Sequence, residues 1–352
     1  MIRKSTVNLK YANAGKLQKV HTTAIEYQRV VNLFIDSLWK QKQFSGKFVK
    51  NTAVESWLSA RLRQAAAKQA LAIVKSQRKK KRKTKPKFNK LVMELDSRFV
   101  TVTQDLDDST FDVWVHLASI GNRIILNLPS RKHTHINKLT GDEWLLKGST
   151  RLRITDKGCF IDLFFQKKPP AIRTQGKPKA IDIGYKKLIV SSDGEFLGDN
   201  KIYEKIAGKK QGSKAFKRAL AERDNLVNAS CNLLDLSDTK ALYAEDLKNV
   251  KHKSKGKIRK SFNNKLARWV YPKVLSKLAL TCEEQGILFK KVPPQYTSQR
   301  CSSCEAICKS NRRGEIYKCA CGNIMDADLN ASLNILHLGA YSPQVSYSKQ
   351  VI

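Results

Sequence analysis

Nineteen residues, KCACGNIMDADLNASLNIL (318–336), bring two kinds of metal-ligating side chain close together. Cys319 and Cys321 offer soft thiolate ligands, whereas Asp326 and Asp328 offer hard carboxylate oxygens. One ion rarely suits both, because thiolates select zinc-like metals and carboxylates select magnesium-like metals. The stretch therefore predicts two separate sites, one that stabilises the fold and one that performs chemistry.

Three acidic residues each lie in or beside a hydrophobic run. Asp182 lies inside AIDIG, Glu245 ends ALYAE and Asp328 opens DLNASLNIL. A carboxylate on a buried strand is costly unless a cation compensates its charge. Two carboxylates on strands and a third at a helix start are suited to hold a pair of Mg²⁺ ions about 3.5–4 Å apart, as phosphodiester hydrolysis requires. For Asp182 taken alone, the alternative is a structural turn residue.

The eight cysteines fall into two groups. Cys159, Cys231 and Cys282 are isolated among apolar or mixed residues, which predicts buried small hydrophobic side chains. The other five lie within 301–321, and in a reducing compartment such clustering indicates metal binding and not disulfides. A Cys-x-x-Cys pair followed after fourteen residues by Cys-x-Cys predicts four thiolates around one structural Zn²⁺. The predicted ligands are Cys301, Cys304, Cys319 and Cys321.

The chain of 352 residues carries 67 Lys and Arg against 30 Asp and Glu, a formal net charge of +37. An excess of this size favours a polyanionic partner, above all nucleic acid. A generic basic surface, as in a ribosomal protein, is one alternative. An anionic membrane is a weaker one, because the sequence has no long apolar stretch or lipidation signal. The opening MIRKSTVNLKYANAG lacks the apolar region of a secretory signal, so a cytosolic protein is expected.

The elements in the first half are predicted from hydrophobic spacing. Residues 2–10 alternate weakly, as in an edge strand, and apolar residues three and four apart over 17–38 predict a helix. A second apolar stripe, over 57–73, predicts another helix. The run 75–87 holds nine Lys or Arg in thirteen positions, which predicts a solvated arm or linker. From 96 to 167, short runs of period two predict a small barrel or sandwich.

After a predicted linker at 167–179, strands and helices mix. Their order is a strand with Asp, a hairpin, a strand with Glu, a helix, a strand and a terminal helix with Asp. This order is the layout of ribonuclease-H-like nucleases. Pro272 is expected to kink or interrupt the long helix, and Gly339 to end the terminal one. The predicted strands are 179–183, 187–192, 195–197, 241–247 and 287–294, and a basic helical stretch spans 203–235.

Four motifs carry a more specific resemblance. AIDIGYKKL, YAEDLKNV, VPPQYTSQRCSSC and CGNIMDADLNASLNI together resemble the TnpB family, transposon-encoded RNA-guided DNA nucleases related to type V CRISPR effectors. The resemblance covers about 175–340 by motif and the rest of the chain only in arrangement. It implies that Asp182, Glu245 and Asp328 are the catalytic acids and bind two Mg²⁺ ions, with Asp326 a helix-capping neighbour.

The cysteine pattern departs from the family at one position. The second pair in the family is usually Cys-x-x-Cys, whereas here it is Cys-x-Cys. Two ligands on so tight a turn are harder to place. Cys308 is therefore the alternative zinc ligand, and a degenerate site without zinc is a further alternative.

The resemblance implies an α+β multidomain fold. A β-barrel wedge domain would carry an inserted helical recognition domain with a basic arm. A RuvC-type, ribonuclease-H-like α/β nuclease domain with a zinc-ribbon insert would follow. The expected bounds are 1–12 and 90–168 for the wedge, 13–89 for the insert, 169–340 for the nuclease domain, 297–325 for the ribbon and 341–352 for a tail.

The implied function is that of an Mg-dependent RNA-guided DNA endonuclease. It would bind guide RNA and double-stranded target DNA with a displaced single strand, and read a short adjacent DNA motif. The alternatives are a compact CRISPR effector, an RNA-guided repressor without nuclease activity, and an RNA-independent nuclease or transposase. A monomer in the cytoplasm of a prokaryote is expected. The candidate phosphate contacts are Arg78, Lys79, Lys80, Lys81, Arg82, Lys83, Lys209, Lys210, Lys253 and Lys255.

Overall fold

The computed structural model describes residues 1–41, 54–104, 109–119, 124–141, 143–247 and 269–341. The chain divides into two compact units, Met1–Lys168 and Pro169–Ile352. Among the described helices, none combines the length and the apolar character needed to cross a membrane.

Two long helices lie in the first unit, α1 (Ala14–Lys40) and α2 (Ala60–Lys79). The stripe predicted for α1 is buried along one face. Each helix starts at a polar cap: the Asn13 side chain accepts from the backbone N–H of α1, and that of Ser59 does the same for α2. Trp57, predicted within the second helix, precedes the Ser59 cap and is 50% exposed.

The basic run 75–87 begins as helix, so the prediction of a break over its whole length was wrong. Helix α2 continues through the first five positions of the run and ends at Lys79. Lys and Arg are good helix formers, and within this run no Gly or Pro occurs before Pro86. The end of the helix is marked by Lys81, which adopts a left-handed backbone conformation (φ 53°).

The described strands of the first unit, for which a small barrel or sandwich was predicted, form two antiparallel sheets. Their bounds are β1 (Ile2–Asn8), β2 (Leu91–Leu95), β3 (Val100–Gln104), β4 (Val113–Ser119), β5 (Ile124–Ser130), β6 (Leu145–Thr155) and β7 (Gly158–Gln166). One sheet has the order β1-β7-β6-β2 and the other the order β3-β4-β5. Strand β2 was not predicted. One hydrophobic core joins both sheets to α1 and α2, and the short helix α3 (Thr134–Asn137) follows β5.

The second unit is built on a five-stranded mixed sheet. Its strands are β8 (Lys177–Asp182), β9 (Ile189–Ser191), β10 (Phe196–Leu197), β11 (Thr239–Glu245) and β12 (Leu288–Val292). The order is β10-β9-β8-β11-β12. Strand β11 runs parallel to both β8 and β12. Strand β9 is antiparallel to β8, and β10 is antiparallel to β9. The hairpin and the parallel strands thus follow the predicted order, with β8 starting two residues earlier than predicted.

The described helices of the second unit are α4 (Lys201–Ala207), α5 (Lys214–Leu233), α6 (Tyr271–Gln285) and α7 (Ala327–Leu336). The single helical stretch predicted over 203–235 is two helices, divided at a loop that holds Gly208 and Gly212. Pro272 begins a helix and does not kink one, so of the two predicted effects the structure excludes only the kink; the part of the predicted helix before 269 lies outside the described residues. Pro272 lies in the first turn of α6, where its fixed φ suits the helix and no hydrogen bond is lost.

A small three-stranded sheet precedes α7 directly. It consists of β13 (Arg312–Arg313), β14 (Ile316–Lys318) and β15 (Ile324–Asp326), all antiparallel. Helix α7 ends at Leu336 and continues as a π-helical turn, His337–Tyr341, so Gly339 does not end the helix as predicted. A Cβ at Gly339 would come within 2.2 Å of the Tyr243 ring. The glycine therefore allows this turn to pack on β11.

Side-chain alternation divides the large sheet into two faces. On β8, Ile181 packs with α4, α5 and α6, whereas Ala180 lies on the opposite face with α7. On β11, Leu242 and Ala244 belong to the first face and Tyr243 to the second. Side chains two residues apart on a strand share a face. Asp182 and Glu245 therefore both lie on the face that α7 covers.

Candidate active site and metal centre

Asp182 and Glu245 end two neighbouring parallel strands at the same edge of the sheet. The register pairs Ile181 of β8 with Ala244 of β11, so the two acids follow at corresponding positions. Tyr271 of α6 supports this edge: its hydroxyl donates to the Glu245 carbonyl and accepts from the backbone N–H of Leu247, at 2.9 Å. Parallel pairing thus brings together two carboxylates that are 63 residues apart in sequence.

Asp328 enters the site from the first turn of α7. The N-cap of this helix is Asp326, whose Oδ1 accepts from the backbone N–H groups of Asp328 and Leu329 at 3.0 and 3.1 Å. The other Asp326 oxygen forms an ion pair with Lys187. The geometry therefore gives Asp326 the capping position that the family resemblance implied.

The three acids line one cleft of about 480 Å³. Gly184, the glycine of AIDIG, also lines it. A Cβ there would lie 2.6 Å from the carbonyl oxygen of Lys187 and 3.6 Å from Oδ2 of Asp328. A side chain is thus excluded where the loop after β8 turns tightly beside the cleft.

Two of the three carboxylates, Asp182 and Glu245, are harder to ionise than usual. Burial raises the pKa of Asp182, and the charges of Glu245 and Asp328 raise it further, to about 8. Burial also raises the pKa of Glu245. A bound cation would therefore favour the charged forms of Asp182 and Glu245 at neutral pH.

Two neighbours of the acids were not predicted from the sequence. Arg312 of β13 lies 2.7 Å from Asp328 Oδ1 and lowers the pKa of Asp182 and of Glu245 against the larger effect of burial. The Thr297 hydroxyl donates to Oε1 of Glu245. Neither residue has a signature in the sequence, because each reaches the cleft only through the folding of the small sheet and of the loop after β12.

Four cysteines form the compact thiol cluster that the sequence predicted. Their sulfur atoms all lie within 4.8 Å of one another, with 3.7 Å between Cys301 and Cys321 and 3.6 Å between Cys304 and Cys319. Tetrahedral Zn²⁺ with Zn–S bonds of about 2.3 Å would place its sulfurs about 3.8 Å apart. In the part of the chain that the structure describes, no other group of three or more Cys, His, Asp and Glu ligand atoms is so close. The donor set therefore fits zinc.

Backbone geometry explains how the short Cys-x-Cys pair contributes two ligands. Gly322, at φ 91°, closes a turn in which its N–H donates to the Cys319 carbonyl at 3.1 Å. Burial raises the pKa of Cys301, but hydrogen bonds from the backbone of Cys304 and the Asn323 side chain lower it to about 6, which favours the thiolate. Cys308 lies outside the cluster and contacts Ser310 at 3.0 Å.

The three isolated cysteines are buried, as predicted. Cys159 is 9% exposed, Cys231 1% and Cys282 0%. Burial raises the pKa of each thiol, to about 11 for the first two and about 12 for the third. These thiols therefore remain protonated and act as small hydrophobic side chains.

The predicted phosphate contacts differ in their surroundings. The Arg78 guanidinium donates to the carbonyls of Leu38, Trp39 and Gln41 at the end of α1, which favours a structural role. Lys253 and Lys255 lie outside the described residues. The exposed candidates, which stay predictions, are Lys79, Lys80, Lys81, Arg82, Lys83, Lys209 and Lys210.

The fold and the two clusters define a mixed α+β protein with a carboxylate cleft beside a cysteine cluster. Comparison with known families identifies proteins to which this chain is similar. Residues 271–335 match the family model described as Cas12f1-like, TNB domain. The CRISPR-associated endodeoxyribonuclease Cas12f1 of Sulfoacidibacillus thermotolerans is 49% identical over 72 residues, 20% of this chain and 17% of that protein. The putative transposase A625R of Paramecium bursaria Chlorella virus 1 is 38% identical over 55 residues, 16% of this chain and 13% of that protein.

The fold is similar over most of the chain to one solved structure of this kind. In the cryo-EM structure of the Cas12f1–sgRNA–target DNA complex, the matched chain has a TM-score of 0.56 and 14% identity, with 91% of this chain and 81% of that chain covered. The sequence alignments themselves span less than a fifth of either curated relative. Together these findings confirm the resemblance to the TnpB family and to compact type V effectors that the four motifs indicated.

Proposed function

We propose that this chain is an RNA-guided DNA endonuclease that cleaves target DNA at the cleft of Asp182, Glu245 and Asp328. The observation that carries the proposal is the convergence of these acids, from two parallel strands and a helix start, on one cleft. The similarity to a Cas12f1 endodeoxyribonuclease and to a transposase supports the same assignment. In this proposal the large sheet and its helices are the RuvC-type nuclease domain.

The donor set of the cleft suits magnesium. The described residues that line it offer carboxylate oxygens and no thiolate or imidazole, and the raised pKa values of Asp182 and Glu245 indicate a site that a divalent cation would stabilise. A pair of bound Mg²⁺ ions would supply an activated water and stabilise the leaving oxygen of the phosphodiester. Arg312 holds the Asp328 carboxylate by an ion pair, so the acid on α7 is oriented before metal binds.

The cysteine cluster would hold one structural Zn²⁺ through Cys301, Cys304, Cys319 and Cys321. The segment that contains these ligands leads through β14 and β15 into α7, whose first turn bears Asp328. A metal in such a small element substitutes for a hydrophobic core. Zinc would thereby fix the start of α7 relative to the large sheet.

Nucleic acid is the partner that the charge favours. A net charge of +37 suits guide RNA and double-stranded target DNA, whose phosphates the exposed lysines and arginines would contact. Base pairing with the guide would select the target, and the protein would hold the heteroduplex through its backbone.

The test is cleavage of a guide-matched plasmid by the purified protein–RNA complex in Mg²⁺. Asp182→Asn, Glu245→Gln and Asp328→Asn should each abolish cleavage and leave target binding, measured by gel shift, nearly unchanged. Asp238→Asn is the matched control, since Asp238 is an exposed acid of the same unit. Retained cleavage in any of the three variants, or loss of cleavage in the control, would contradict the assignment of the site.

A further inference from the structure

Thr297 lies where the loop after β12 meets the cleft, and it is 2% exposed. Its hydroxyl lies against two acceptors, Oε1 of Glu245 and the carbonyl of Pro294 at 3.2 Å. The Pro294 distance is longer than the usual O–H···O range of about 2.5–3.0 Å. The hydroxyl proton is therefore directed to the Glu245 carboxylate.

Two buried asparagines of α7 hold the segment that begins with Thr297. The Asn334 amide donates to the carbonyls of Thr297 and Arg300, at 2.9 and 2.7 Å. The Asn330 amide donates to the same Arg300 carbonyl at 2.8 Å, and its oxygen accepts from the backbone N–H of Ser302 at 3.0 Å. Asn330 is 0% exposed and Asn334 2%, so the contacts are shielded from water.

The spacing of the two asparagines explains why one face of α7 can hold this segment. Residues i and i+4 lie one above the other on a helix, so Asn330 and Asn334 present their amides to one short segment, residues 297–302. That segment includes Cys301, a member of the thiol cluster, and Thr297, the partner of Glu245. Helix α7 thus contributes Asp328 directly to the cleft and reaches Glu245 through Thr297.

We propose that Thr297 is a positioning residue for Glu245, and that Asn334 holds Thr297 in place. This inference rests on the proposed nuclease function. The hydroxyl fixes which way the Glu245 carboxylate faces, so that the acid meets a divalent cation without rearrangement. A fixed ligand matters because a metal site depends on the groups that orient its ligands, and the loss of such a group typically costs about 10–100-fold in metal affinity or activity.

The test replaces the hydroxyl alone. Thr297→Val keeps the shape of the side chain, removes the donor and should lower the single-turnover cleavage rate about 10–100-fold in the guide RNA–target complex. Thr297→Ser keeps the donor and should restore a rate close to that of the unaltered protein. Thr239→Val is the matched control, because Thr239 is 3% exposed and begins the strand that Glu245 ends.

A second readout does not depend on cleavage. Mn²⁺ binding to the protein–RNA complex, followed by electron paramagnetic resonance, should weaken in Thr297→Val and in Asn334→Ala and remain unchanged in Thr297→Ser and Thr239→Val. Unchanged melting temperatures in the three threonine variants would show that the fold is intact. Normal cleavage and Mn²⁺ affinity in Thr297→Val would overturn the inference, whereas absence of guided cleavage by the unaltered protein would overturn the proposed function itself.

Discussion

At the scale of single residues, the burial of carboxylates in the cleft lowers the stability of the fold. Asp182 and Glu245 ended hydrophobic runs, so their burial was readable from the sequence. Their meeting at one edge of the sheet follows from the parallel pairing of β8 with β11. The Arg312 ion pair with Asp328 was not readable, because it depends on how the short strand β13 aligns with α7.

The raised pKa of Asp182 predicts a pH-dependent stability of the metal-free protein. Between its ordinary pKa of 3.8 and about 8, the unfolded chain has lost a proton that the folded chain retains. Stability therefore falls as pH rises through this window, by about 1.4 kcal/mol for each unit of pKa shift at most. Asp182→Asn should be more stable than the unaltered protein near neutral pH and lose most of this slope.

Urea unfolding in EDTA at about pH 5 and about pH 8 measures this effect. Asp238→Asn, in which an exposed acid is changed, should retain the slope of the unaltered protein. Identical slopes for Asp182→Asn and the unaltered protein would mean that the Asp182 carboxylate is ionised in the folded state.

The two aspartates of DADLNA should differ in what they contribute. Asp326→Ala removes an N-cap and should cost about 0.5–2 kcal/mol of stability with partial loss of cleavage. Asp326→Asn keeps the cap and should lose less stability than Asp326→Ala, because it removes only the ion pair with Lys187. Asp328→Ala should abolish cleavage. Thermal unfolding and guided cleavage assays measure these effects. A larger loss of cleavage in Asp326→Ala than in Asp328→Ala would show that the wrong acid was assigned to the chemistry.

At the scale of elements, the sequence predicted best those whose hydrophobic pattern continues for many residues. Helix α1 has an apolar stripe over seven turns, and the strands of the large sheet alternate with helices in a fixed order. Trp57 was misplaced because an aromatic residue just before a cap continues the apolar spacing without joining the helix. The sequence left open whether Pro272 kinks or interrupts a helix, because its effect depends on its position: in the first turn of α6 it begins the helix and does not bend it.

The cysteine element should contain about one zinc per chain, as metal analysis of the purified protein can measure. Cys301→Ser should remove the zinc and lower the melting temperature, because metal affinity contributes folding energy in so small an element. Cys308→Ser is the matched control and should change neither quantity, since Cys308 lies outside the cluster. Loss of zinc in Cys308→Ser, with retention of zinc in Cys321→Ser, would show that Cys308 and not Cys321 is a zinc ligand.

At the scale of the whole molecule, the net charge of +37 is the feature that composition alone determined. It indicated nucleic acid before any element was assigned. It did not identify individual contacts, because a basic residue can equally stabilise the fold. Arg78 shows this: it lies in the basic run, yet its guanidinium holds the end of α1.

Binding of guide RNA should weaken steeply with salt, because each neutralised phosphate releases a counterion. Fluorescence anisotropy at several salt concentrations gives the slope of log affinity against log salt. Simultaneous substitution of Lys79, Lys80 and Lys83 by Gln should make that slope shallower than the slope of the unaltered protein. A slope near zero for the unaltered protein would exclude an interface dominated by phosphate contacts.

The measurement that tests the central claim most directly is the relocation of the cut by the guide. The RNA that co-purifies with the protein is sequenced, its guide segment is replaced by one that matches a second site, and cleavage of a plasmid with both sites is mapped in Mg²⁺. The proposed function predicts that the cut moves to the second site and disappears in Glu245→Gln. Cleavage at an unchanged position, or cleavage without RNA, would contradict it.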